Sequence, residues 1–121
     1  EDLMSKATCY NWADLPPTAM TPQIERRLIS GENMMLVQFR LAKGAQVAEH
    51  HHLHEQMSYV LSGQLEFDVQ GEKRVVKGGE VIHLPSNIPH AAYVLEDSLV
   101  LDTFSPPRED FLSGEQPDYM K

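Results

Sequence analysis

Between Gly44 and Gly63 the chain reads GAQVAEHHHLHEQMSYVLSG, the stretch that most constrains its fold. His50 and His52 stand two residues apart, and Gln56 follows four residues later. A strand sends alternate side chains to one face, so a strand through this pair points both imidazoles the same way and lets them share one ion. Gln56 lies past a short bend and can return toward that ion from the next strand. A third imidazole must come from elsewhere, and His90 supplies it. Imidazole is the commonest side-chain ligand for transition metals. A purification tag has a similar look, but it sits at a terminus, whereas this run lies mid-chain between strand-like segments. His51 falls on the opposite strand face and is expected at the surface or behind the ligands. His54, in the bend, is a weaker ligand candidate. His83, just before Pro85, is expected to be a packed or exposed strand residue.

Most of the remaining chain has strand character. Met34–Leu41, Gln56–Leu61, Leu65–Val69, Lys73–Lys77, Val81–Leu84, Ala91–Leu95 and Leu99–Phe104 are short runs rich in β-branched or aromatic residues. The turn signals SGEN, AKGA, LSGQ, VQGE, KGGE, PSNIP and LEDS separate them. Many short strands at near-regular spacing predict a sandwich or barrel. Tyr10–Ile29 holds Trp12 and the breaker cluster LPPTAMTP, followed by QIERRLI, which could be a further strand. Arg108–Leu112 could form one helical turn.

A chain of 121 residues is expected to be a single domain with a core of its own. One cysteine, Cys9, cannot form an internal disulfide, which suits a reducing cytoplasm. The polar start EDLMSK has no apolar stretch behind it, so no signal peptide is expected, although an initiator methionine is lacking. No apolar run approaches the ~18–20 residues that cross a bilayer. A net charge of −8 opposes nucleic acid or an anionic membrane as partner. It leaves room for a small anionic substrate, because a metal ion and one arginine can dominate a pocket locally.

The histidine stretch resembles the first motif of the cupin family, in which a glycine, an HxH pair, a glutamate and a second glycine recur at fixed spacing. Gly44, His50, His52 and Gly63 match, and Gln56 stands where most cupins have glutamate. In the second motif Gly79, Pro85 and His90 match, while Asn87 replaces a glycine and Val94 an asparagine. The resemblance implies an all-β jelly-roll barrel, the double-stranded β-helix. It divides the chain into an N-terminal extension with first strands (1–32), the first motif (44–63), the second motif (79–94) and a closing strand with pocket segment (99–112). His50, His52, His90 and Gln56 would then hold one divalent transition metal ion, with nickel, zinc, iron, cobalt and manganese all compatible. A neutral glutamine leaves the ion fully dicationic, hence a stronger Lewis acid toward an anionic ligand. It also disfavours the higher oxidation states of oxygen chemistry.

The closing stretch LVLDTFSPPR narrows the chemistry. On a strand, Val100, Asp102 and Phe104 share one face, which sets a carboxylate in an apolar wall. Burial raises such a group's pKa while a metal's charge lowers it, a balance typical of proton-transfer groups. Arg108, after the rigid Pro106–Pro107 pair, could fold back to meet a carboxylate. HHHLHEQ together with LDTFSPPREDFL resembles the small KdgF cupins of pectin degradation. That resemblance implies an enzyme converting cyclic 4,5-unsaturated uronate monosaccharides, the products of pectin and alginate lyases, to linear keto forms. Asp102 and Arg108 would be catalytic, and Phe104, Arg108 and Gln56 would contact the sugar. Small cupins of this kind commonly form homodimers through an outer sheet. Trp12 and Leu15–Pro22 are candidates for that contact or for closing the barrel mouth. Two other classes stay open: a cupin dioxygenase on a small organic substrate, and a non-enzymatic sugar-binding metal cupin.

Overall fold

The computed structural model describes residues 6–115 and 117–120. Eight strands follow in order: β1 (Thr18–Thr21), β2 (Ile24–Ser30), β3 (Met35–Leu41), β4 (Gln46–His50), β5 (Glu55–Val69), β6 (Glu72–Lys77), β7 (Glu80–Leu84) and β8 (His90–Ser105). One helical turn, α1 (Glu109–Leu112), and two 3-10 turns, Trp12–Asp14 and Asp118–Met120, complete the chain. All pairings are antiparallel, in the order β1-β2-β3-β8-β5-β6, with β4 also on β8 and β7 also on β5. This is an all-β antiparallel jelly roll, as expected.

Period-two alternation builds its interior. Met35, Val37, Phe39 and Leu41 of β3 are buried, as are Gln56, Ser58 and Val60 of β5 and Val100, Asp102 and Phe104 of β8. These inner faces lie side by side on the neighbouring strands β3, β8 and β5, with Ser58 and Val37 flanking Asp102 in register. Polar residues on three neighbouring inward positions are costly in an apolar core unless they find partners. Those partners make the site.

Two sequence expectations on strand boundaries are corrected. Gln56–Leu61 and Leu65–Val69 are one strand, β5, and Ala91–Leu95 and Leu99–Phe104 are one strand, β8. The LSGQ and LEDS signals mark bends, because the β5–β8 register shifts between Val60 and Leu65. Gly63 has φ +93°, and a Cβ there would lie 2.2 Å from Ser98 Oγ and 2.5 Å from Asp97 O. The glycine therefore lets two backbones touch at a bulge and does not end the strand. The breaker cluster also conceals β1, while QIERRLI does form most of β2.

Candidate metal centre

β4 ends at His50, so His52 lies in the connection to β5 and not on a strand. The two rings still converge, because the β4–β8 pairing shifts register between Val47 and His50 and sets His50 opposite His90. Ring centroids lie 5.6 Å apart for His50–His52, 4.2 Å for His50–His90 and 5.3 Å for His52–His90. One nitrogen from each of the three lies within 4.8 Å of the others.

Backbone carbonyls select the tautomers. Nδ1 of His50 donates to Ala48 O at 2.8 Å, that of His52 to His54 O at 3.0 Å and that of His90 to Ile88 O at 2.9 Å. A carbonyl only accepts, so each Nδ1 carries the hydrogen and each Nε2 presents a bare lone pair. Burial holds the rings neutral, lowering His50 to about 3 and His52 to about 4, and it also lowers His90.

Gln56 completes the set. Its amide nitrogen donates to Ser58 Oγ at 2.9 Å and to Asp102 Oδ2 at 3.3 Å, which turns the amide oxygen toward the histidines. That oxygen lies 3.1 Å from His52 Nε2. With Nδ1 protonated, both atoms are acceptors, and two facing acceptors repel unless a cation rests against them. Three neutral imidazoles and one amide oxygen thus fit a divalent transition metal.

Asp102 lies behind Gln56, 7 % exposed. Burial pushes its carboxyl up to about 7, while the Ser58 hydroxyl and the Arg108 charge pull the other way. Its Oδ1 is buried with no hydrogen-bond partner among the described residues. His50, Gln56, His90, Asp102, Phe104 and Arg108 line one cavity of about 60 Å3.

The cupin domain family matches residues 37–102, a span holding both glycine–histidine motifs. The chain belongs to the cupin family. It is 40% identical over 92 residues to the pectin degradation protein KdgF of Dickeya dadantii (strain 3937), covering 74% of this chain and 84% of that protein. The structure of KdgF from Halomonas sp. superposes with a TM-score of 0.83 at 32% identity, over 88% of this chain and 99% of that one. An RmlC-like cupin from Shewanella frigidimarina NCIMB 400 gives a TM-score of 0.80 at 29% identity, over 88% of this chain and 96% of the other.

Within this cupin fold the expected site residues meet, the other histidines lie outside the group as expected, and Arg108 gains a partner of its own. His54 stands beside His52, ring centroids 5.4 Å apart, but outside the three-histidine group. Exposed His51 is not in that group either, and His83 pairs with Glu55 at 2.7 Å on the outer surface. Arg108 does fold back, is 3 % exposed, and sits 5.2 Å from the Phe104 ring. The carboxylate it meets belongs to Asp110, through bonds of 3.1 and 2.8 Å, and its Nη2 also bonds the Tyr119 hydroxyl. Sequence reasoning missed Ser58, Asp110, Tyr119 and Met120. Ser58 carried a signal, since it lies two residues beyond Gln56 on a strand; Tyr119 carried none. The mouth side is occupied by Tyr119 and Met120, whereas Trp12 and the Leu15–Pro22 stretch do not line the cavity.

Proposed function

We propose that this cupin opens and ketonises cyclic 4,5-unsaturated uronate monosaccharides released by pectin or alginate lyases. The observation that carries this is Asp102: a buried carboxyl poised near neutrality, one oxygen unpartnered among the described residues, hydrogen-bonded to the amide that faces the histidines. Similarity to the KdgF proteins, named for pectin degradation, points the same way.

His50, His52, His90 and Gln56 would hold one divalent transition metal ion. When bound, such an ion supplies fixed positive charge that stabilises an oxyanion developing on a sugar beside it. Asp102 removes the proton from the anomeric hydroxyl; the anomeric carbon becomes an aldehyde as its bond to the ring oxygen breaks, and that oxygen leaves as an enolate. Asp102 then gives the same proton to the fourth carbon, and the enolate becomes a ketone. One proton has moved and nothing is oxidised, so the reaction is an isomerisation. A carboxyl near pKa 7 suits both directions of transfer. Phe104 walls the sugar, Arg108 orients its carboxylate and Gln56 contacts it from the metal side.

Outward-facing Met57, Tyr59, Leu61 and Val81 are exposed on neighbouring strands, with Tyr59 opposite Val81. This apolar strip supports a homodimer through the outer sheet. The acidic chain supports neither nucleic acid nor an anionic membrane as partner, and no helix among the described residues is long and apolar enough to cross a bilayer. A cytoplasmic site of action fits the single, exposed cysteine.

The test is a time course on freshly lyase-generated unsaturated galacturonate, following loss of the conjugated double-bond absorbance. Metal-loaded protein should exceed the spontaneous rate and chelator-stripped protein should not. No acceleration by protein of verified metal content would sink the ketonising reaction, and oxygen consumption with bound iron would redirect it to a dioxygenase.

A further inference from the structure

The cavity above the three histidines is covered by the C-terminal turn at Asp118–Met120. Tyr119 stacks on His50 with ring centroids 3.6 Å apart and planes 6° apart. Its hydroxyl bonds Arg108, and buried Met120 lines the cavity. A second, larger space of about 790 Å3 lies outside, bordered by His52, His54, Pro107, Arg108 and Tyr119. Arg108 borders both spaces. Tyr119 borders the outer one and covers His50, a wall of the inner one.

Size makes this arrangement a closed state. The inner cavity of about 60 Å3 holds roughly two waters, whereas pockets for organic ligands span about 300–1,000 Å3. A monosaccharide does not fit that inner cavity while the Tyr119 ring lies against His50. The chain is turned back over the mouth by Gly114, φ +83°, which ends α1 with bonds from Gly114 N to Phe111 O at 3.2 Å and from Glu115 N to Asp110 O at 3.0 Å.

Charge indicates what moves it. The guanidinium carbons of Arg26 and Arg108 each lie 4.2 Å from the Phe111 ring centroid. Asp110 balances Arg108, while Arg26 is 3 % exposed and its Nε and Nη1 have no partner among the described residues. The cluster therefore carries more positive than negative charge. Tyr119 offers Arg108 a single neutral oxygen, where a carboxylate would pair charge with charge and could take two parallel N–H bonds.

We propose that Tyr119 gates the metal centre: its phenol holds the place on Arg108 that a ligand's carboxylate takes, and the C-terminal turn lifts as that carboxylate binds. The proposal deepens the uronate reading and rests on it for the choice of anion.

The test compares Ni2+-loaded wild type, Tyr119→Phe and Tyr119→Ala in two assays. In calorimetric titration with galacturonate, a saturated uronate, Tyr119→Phe should bind at least about 10-fold more tightly, the equivalent of one competing hydrogen bond to a charged group. Neutral galactose should show no such gain. In the second assay, release of Ni2+ to EDTA should be several-fold faster from Tyr119→Ala than from wild type. Weaker galacturonate binding by Tyr119→Phe would overturn the gate, because the phenol would then support the ligand and not compete with it. Unchanged Ni2+ release from Tyr119→Ala would overturn it independently. The release assay uses no sugar, so faster release with no galacturonate binding to any of the three proteins would refute the uronate reading and leave the cover over the metal site standing.

Discussion

The amide nitrogen of Gln56 and Oδ2 of Asp102 lie 3.3 Å apart, joining a group that faces the histidines to a carboxylate that does not. One side chain thus has two faces: its oxygen lies 3.1 Å from His52 Nε2 and its nitrogen donates to the buried carboxylate. A glutamate at this position could not donate to Asp102, so the glutamine affects the carboxylate's charge as well as the charge of the centre.

Asp102→Asn keeps the shape and can still accept from Gln56, but it cannot carry a proton. Turnover of unsaturated galacturonate should fall by about 10²–10⁴-fold, the range for a lost general acid–base group. Metal content by elemental analysis should not change. Parallel loss of metal and turnover would make Asp102 a structural residue and not a proton carrier.

Gln56→Glu replaces a donor by a carboxylate beside Asp102. Two like charges so close cannot both ionise readily, so the Asp102 pKa rises further. The added negative charge also weakens attraction for an anionic sugar. KM should rise roughly five- to tenfold, corresponding to about 1–1.4 kcal/mol. The acid limb of the kcat profile should move to higher pH. An unchanged or lower KM would count against a role for the neutral amide.

The metal-free protein should lose stability in mild acid. His50 falls from 6.5 to about 3 and His52 to about 4 in the fold, and His90 is also lowered, so below about pH 6.5 the unfolded chain binds protons that the folded one refuses. Asp102 acts oppositely: raised from 3.8 to about 7, it stabilises the fold in acid and loses that contribution as pH rises through 7. Three imidazoles outweigh one carboxyl. Urea midpoints of chelator-stripped protein should therefore drop between pH 7 and pH 5; a rise over that range would mean Asp102 dominates.

What could be read from the chain divides along physical lines. Alternation is local, so the shared inward face of Val100, Asp102 and Phe104 followed from spacing alone. The meeting of His50 and His52 has another cause, because His52 lies off the strand and a register shift in β4 sets His50 opposite His90. The strand ends did not follow from spacing either. Glycine signals either a turn or a bulge, and the choice at Gly63 depends on Ser98, a neighbour only in space. The environment of Arg108 was hidden in part for a similar reason: Asp110 is a neighbour two residues away, but Tyr119 reaches it only because the chain returns, and nothing near Arg108 announces that return.

Gly63→Ala tests the bulge directly. At φ +93° an added Cβ carries a left-handed backbone penalty, and it would also sit 2.2 Å from Ser98 Oγ and 2.5 Å from the Asp97 carbonyl. The hydroxyl can rotate away, but the carbonyl belongs to backbone and must shift. Conformational cost and overpacking together should destabilise the protein by about 2–5 kcal/mol. Pairing of β5 with β8 positions Gln56 and Ser58 against Phe104 and Asp102, so the strain falls on the strands that carry the site. Urea denaturation of metal-free protein should show the loss as a lower midpoint at similar slope. Ser98→Gly in the same chain removes the hydroxyl but not the carbonyl, so it should recover only part of the loss; full recovery would mean the Ser98 side chain, not the backbone approach, sets the glycine requirement.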